Sequence, residues 1–127
     1  MTQEEKELLL KDICARLPYR VMIKDTYSGH YGRLVEIGKT FAYFISELNG
    51  NTLDVQLYYI KPYLRPMSSM TDEERYEWME ITHAQEWLII GNLDKATDWL
   101  NENKFDYRGL IPMGLALKAK EGMYKTE

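Results

Sequence analysis

The sequence predicts an α+β fold: an N-terminal helix over residues 1–17, a small antiparallel β-barrel or bent sheet over 19–60, a linker at 61–70 and a helical half over 71–127. Three observations carry this expectation. Apolar residues mostly alternate before Pro66-Met67-Ser68-Ser69-Met70 and recur at helical spacing after it. Asn49-Gly50 is a strong hairpin signal, because both residues tolerate the left-handed backbone of a tight turn. Thr2 with Glu5, and Thr71 with Glu74, have the spacing of capping boxes, in which a hydroxyl and a carboxylate satisfy the free amides of a helix start. With 127 residues and 45% hydrophobic content the chain can bury one core, so a single domain is expected.

The elements follow in order. Leu10, Cys14 and Leu17 lie at i, i+4, i+7 beside Leu9 and Ile13, which predicts a first helix with Cys14 facing inward and Pro18 ending it. Arg20 to Asp25 reads as a strand with Val21 and Ile23 on one side. A turn follows at Tyr27-Ser28-Gly29-His30-Tyr31-Gly32, whose two glycines can take positive φ. The next strand, Arg33 to Gly38, is expected to point Val35 and Ile37 inward. Thr40 to Leu48 is apolar on both faces, Phe41, Tyr43 and Ile45 against Ala42 and Phe44, which predicts a central strand covered on each side. Leu53, Val55, Leu57 and Tyr59 alternate with Asp54, Gln56 and Tyr58. The two prolines of Ile60-Lys61-Pro62-Tyr63-Leu64-Arg65-Pro66 predict an extended exit from the sheet rather than a central strand.

After Thr71, one stripe holds Trp78, Ile81, Gln85 and Leu88, and a second holds Tyr76, Met79, His83, Trp87 and Ile90. A helix apolar on two sides is either wedged between elements or offers one side to a partner. Gly91-Asn92 ends it. Leu93, Ala96 and Leu100 mark a shorter helix to about Asn103. One irregular helical turn is expected over Phe105 to Pro112, and Leu115-Ala116-Leu117 and Met123-Tyr124 are expected to dock as extended pieces.

Charge narrows the function classes. The chain carries -4 overall, yet Leu17 to Pro66 holds six Lys/Arg against four Asp/Glu, whereas Met67 onward holds seven against twelve. Nonspecific nucleic-acid binding draws on many cation–phosphate contacts, so only the mildly positive β module keeps that class open. The single cysteine excludes an intrachain disulfide and a cysteine-rich zinc site. No stretch approaches the ~20 apolar residues of a membrane span. The polar, acidic start differs from a secretory signal, so a cytoplasmic location is the expectation.

Chemistry is sparse. His30 and His83 have no second ligand at metal-site spacing beyond the chance pairing of His83 with Glu80 or Glu86. Asp72, Glu73, Glu74, Glu77 and Glu80 read as a solvated helix face, and Ser68 and Ser69 have no evident base. No phosphate-cradling or dinucleotide fingerprint is present. No catalytic residue, metal or cofactor is therefore expected, and surface recognition remains. Tyr58, Tyr63 and Arg65 at the exit of the hairpin, with Tyr107 and Arg108 later in the chain, are of the residue types that dominate binding energy at protein interfaces. The leading expectation is a non-enzymatic module that binds another protein. The alternative is a nucleic-acid-binding barrel using Arg20, Lys24, Arg33 and Lys39 with nearby tyrosines.

Two resemblances add to this. Val21 through Gly29-His30-Tyr31-Gly32-Arg33-Leu34-Val35-Glu36-Ile37 resembles the opening of SH3-like barrels of the KOW kind, which implies contact with RNA or a protein partner. Lys61-Pro62-Tyr63-Leu64-Arg65-Pro66-Met67-Ser68-Ser69-Met70-Thr71-x-Glu73-Glu74, together with Phe105-Asp106-Tyr107-Arg108-Gly109-Leu110-Ile111, Gly114-Leu115-Ala116-Leu117 and Glu121-Gly122-Met123-Tyr124, resembles a family of short uncharacterised proteins of gut-anaerobe genomes and their phages or other mobile elements. That resemblance implies an accessory protein of such an element and supplies no functional residues.

Overall fold

Helix α1 (Gln3–Arg16) opens the chain, and Thr2 and Glu5 form its capping box through reciprocal bonds of 3.0 and 2.8 Å. The structure, a computed structural model, describes residues 2–87 and 93–124, with the side chains of 83–87, 93 and 94 outside the description. The expected helix stop at Gly91-Asn92 and the stripe positions Leu88 and Ile90 lie outside the described residues, as do the side chains of His83, Gln85 and Trp87. Strands β1 (Met22–Asp25), β2 (Tyr31–Ile37), β3 (Phe41–Ser46), β4 (Thr52–Gln56) and β5 (Ile60–Leu64) follow. Then come α2 (Asp72–Trp87), α3 (Leu93–Glu102) and the short β6 (Leu117–Lys118). The fold is α+β, with a six-stranded, curled half-barrel sheet in the order β4-β3-β2-β1-β5-β6. Every pairing is antiparallel except β5 with β6.

The core lies on the inner face, where Leu9 and Ile13 of α1 meet Ile23, Leu34, Phe44, Val55 and Ile60. Leu110, Leu115 and Ala116 close it from the C-terminal side. A second, smaller cluster joins the helical part: Met70, Leu100 and Phe105, with Trp78, Trp99 and Tyr107 against them. Trp99 stacks on Phe105 and meets Trp78, each at 5.6 Å between ring centres.

Several expectations are corrected. The buried stripe of α1 is Leu9, Asp12, Ile13 and Arg16, while Leu10 and Cys14 are exposed. An apolar-only count misplaces the face, because two of its inward positions are an ion pair. Arg16 Nε donates to Asp12 at 3.0 Å with both side chains fully buried. Gly29 does take positive φ, but Gly32 does not; a Cβ there would lie 1.9 Å from the carbonyl oxygen of Ile45. Its role is the close approach of two backbones. A bulge at Val35, between Leu34 and Glu36, turns Val35 outward where alternation placed it inward.

The segment expected to leave the sheet is its fifth strand, flanked by β1 and β6. Thr26 N–H donates to Tyr59 O at 3.0 Å, which puts Pro62 opposite Ile23 at a non-bonding step of the ladder. Its missing amide points away from β1, ahead of the first residue that β6 pairs, so the proline costs no ladder bond. The fourth strand stops at Gln56, and Leu57–Tyr59 is a 3-10 turn rather than its continuation. The C-terminal part is less helical than expected. Beyond Glu102 the chain runs in turns through Tyr124, and only Leu117–Lys118 is extended, paired with β5.

Gly32→Ala is expected to destabilise the fold by about 3 kcal/mol or more, since the clash is with backbone and cannot be relieved by a rotamer change. Chemical denaturation of the purified variant checks this, with Gly29→Ala as the milder comparison that strains φ without a clash.

Candidate functional site

Most of the Tyr/Arg group that composition marked for partner binding is spent inside the molecule. Tyr63 is buried, and its hydroxyl is pushed up by burial first. Arg65 forms a two-pronged bond to Glu74, 2.6 Å on each arm, and lies over the Phe105 ring at 4.2 Å. Tyr107 is held between the guanidinium groups of Arg16 and Arg108, and its hydroxyl donates to Asn101 at 2.9 Å. Arg108 reaches Asp12 at 2.7 Å. These four cement the sheet to the helical part. Tyr58 alone is well exposed, at 56%, with an edge-on contact to Tyr59.

The uncovered surface lies elsewhere. Phe41, Tyr43 and Ile45 of β3 point away from the core, the first two exposed and Ile45 half-buried among the described residues. Val35, Phe41 and Tyr43 are each 39–40% exposed. The strand read as covered on both faces is covered on one. Register aligns this face in rows: Phe41 beside Gln56, Tyr43 between Glu36 and Asp54, Ile45 between Arg33 and Thr52. The result is an aromatic and aliphatic patch with charges of both signs at its margin. β4 is the end strand on that side.

The residues expected for nucleic acid are divided. Lys24 and Arg33 stand on this same outer face, directly opposite Tyr31 and Met22 respectively. Lys39 instead lines a recess of about 200 Å³ between α1 and the chain near Leu57. Arg20 lines a larger cleft, of about 980 Å³, between the Pro18–Arg20 turn, the end of α3 and the Lys118–Tyr124 segment. Lys104, Lys118 and Lys120 share that cleft with Glu73, Glu102 and Glu121. Arg20 and Lys104 both hold left-handed backbone, at φ 60 and 59. Burial first, then the positive charges of Arg16 and Arg20, hold the Lys104 amine below its ordinary value, with Glu102 opposing. Tyr124 closes one wall, donating to Tyr63 O at 2.7 Å and accepting from Met22 N at 2.8 Å. Burial raises its hydroxyl well above the usual tyrosine range.

One cluster has the residue types of a hydrolase. Asp25, Ser28 and His30 meet in the turn between β1 and β2. Their order is wrong for activating a nucleophile: Ser28 Oγ gives its proton to Asp25 at 2.8 Å, and Asp25 also accepts from Tyr27 N at 2.9 Å. The cluster holds a turn. Among the described residues no group of three or more His, Cys, Asp or Glu could hold a metal ion, and no helix is long and apolar enough to cross a membrane. No family model, curated protein or solved structure matches this chain.

Arg65, Glu74 and Thr71 form the best-defined electrostatic unit. Glu74 Oε1 accepts from Thr71 N at 2.9 Å, while Glu74 N donates to Thr71 Oγ1 at 3.1 Å, completing the second capping box. Hydrogen bonds from Arg65 first, and from Thr71, outweigh burial and bring the Glu74 carboxyl down to about 2. A carboxyl lowered in the folded state contributes stability above its ordinary value and loses it as pH falls through the lowered one. Stability is therefore expected to fall between about pH 4.5 and pH 2. Glu74→Gln should flatten that region and cost about 1–3 kcal/mol at neutral pH, read from denaturation midpoints across pH.

Proposed function

We propose that this chain is a non-enzymatic protein-interaction module that docks another protein on the outer face of an SH3-like curled sheet. The observation that carries the reading is the exposed group of Val35, Phe41 and Tyr43, with the half-buried Ile45 continuing their face. Large apolar side chains on one open sheet face, rimmed by polar residues, mark an interaction surface more often than a free one. The margin mixes Arg33 with Glu36 and Asp54, which suits a protein of mixed charge and repels a phosphate backbone at this half of the face. β4 ends the sheet beside the patch, so its outward amides and carbonyls can pair with an extended segment of the partner.

The SH3-like reading rests on the strand order β4-β3-β2-β1-β5 and on the 3-10 turn at Leu57–Tyr59 that leads into β5. A short module of this kind, acting in the cytoplasm as an accessory factor of a phage or mobile element, agrees with the sequence resemblance. The double variant Phe41→Ser/Tyr43→Ser tests the site, because both side chains are half in solvent and can be removed without opening the core. A partner captured from the encoding cells by the parent chain is expected to be lost, at least tenfold in affinity, with the double variant at an unchanged melting temperature. In the complex, β4 amides should gain protection from hydrogen exchange. Equal capture by both chains, or turnover of a small molecule by the pure protein, would overturn the reading.

A further inference from the structure

We propose that a basic track running from the outer face of β1 and β5 into the cleft beside α3 binds the sugar–phosphate backbone of a single-stranded nucleic acid. The inference goes beyond protein docking and uses the other half of the sheet. Lys24 and Lys61 are direct cross-strand partners, a like-charge pairing that costs stability unless something else occupies it. Neither forms a salt bridge among the described residues. On the other flank of Lys24 stands Tyr31, and the Lys120 amine lies 5.2 Å from its ring centre. Lys120 also lines the cleft, where Lys118, Lys104 and Arg20 continue the positive surface.

Six cations thus follow one path on a chain whose net charge is -4. Glu73, Glu102 and Glu121 offset part of that charge, while Glu74 is already neutralised by Arg65. Around the Lys104 amine the charges of Arg16 and Arg20 are met by the opposing charge of Glu102. Arg20 and Lys104 also hold backbone that glycine adopts at lower cost, so the cationic side chains are kept at the expense of local strain. Cations on either side of the partly exposed Tyr31 ring suit a strand whose phosphates track the lysines while one base lies on that ring.

The test is fluorescence anisotropy with a labelled oligothymidylate of about 12 nucleotides, titrated at several salt concentrations. The expected result is binding that weakens steeply with salt, each phosphate contact contributing about 0.7 to the logarithmic slope. Lys24→Gln/Lys61→Gln should make the slope shallower by about 1.4 and weaken binding roughly five- to tenfold per lysine near 50 mM salt. Arg20→Gly should also weaken binding while leaving the melting temperature unchanged or higher, an outcome that a purely structural arginine cannot give. Phe41→Ser/Tyr43→Ser should bind the oligonucleotide as the parent does, which separates this track from the docking face. No binding at low salt would overturn the proposal, as would a slope that the lysine variants leave unchanged. Thymidine monophosphate binding as tightly as the oligomer would reduce the site to a single-phosphate pocket. Polyglutamate binding equally well would make the track an unselective anion surface; either result sinks the strand reading.

Discussion

The fold depends on a buried charge. Asp12 and Arg16 sit one helical turn apart on α1 with no solvent exposure, and between them they hold the rest of the chain. Arg16 passes beyond Asp12 to donate to Phe105 O at 2.7 Å, while Asp12 accepts a second bond from Arg108. Removing two charges from water costs several kcal/mol per ion, and only close geometry with further hydrogen bonds offsets it. The pairing therefore leaves little latitude. α1 can approach the loop at 105–108 only where both guanidinium groups reach one carboxylate, and Tyr107 fills the gap between them.

From that point the two clusters become one body. Phe105 is fully buried, its carbonyl held by Arg16 and its ring sandwiched by Trp99 and the Arg65 guanidinium. Arg65 in turn holds Glu74, and Glu74 caps α2. Sheet end, loop and helix start are thus joined by a short relay of charged and aromatic groups. Residues that composition marks as partner anchors are consumed in this relay. The outer face of β3 keeps its aromatics because nothing in the relay reaches that side, and Lys24 and Lys61 form no salt bridge among the described residues.

Local chemistry was readable where it acts over a few residues. Both capping boxes, the Asn49-Gly50 turn and the strands from Arg20 to Gln56 follow from spacing and turn preference alone. What escaped is what depends on distant partners. Asp12 and Arg16 look like solvent positions until Arg108, 96 residues away, is seen to bind the same carboxylate. Pro62 looks like a strand breaker until register shows its missing amide facing an empty step. Val35 looks inward because a bulge shifts the count by one, which no alternation pattern reports. Phe41 and Tyr43 were legible as apolar and misread as covered, since periodicity shows that a face is apolar and says nothing about what lies on it. Of the basic track, Arg20 and Lys24 could be found from the sequence, whereas Lys61, Lys104, Lys118 and Lys120 join them only through the fold.

The Tyr124 hydroxyl stands between Met22 and Tyr63, replacing the bonds with which β1 and β5 would have closed their own ladder. Met22 and Tyr124 are 102 residues apart, and Arg16 and Phe105 are 89 apart. Contacts of such separation carry a large loop-closure cost and form late. During synthesis β1 and β5 can pair once residue 64 has emerged, while the Met22 end of their seam waits for Tyr124. The last tyrosine acts as a latch, and the interval before it engages is when the nascent sheet is most open to mispairing.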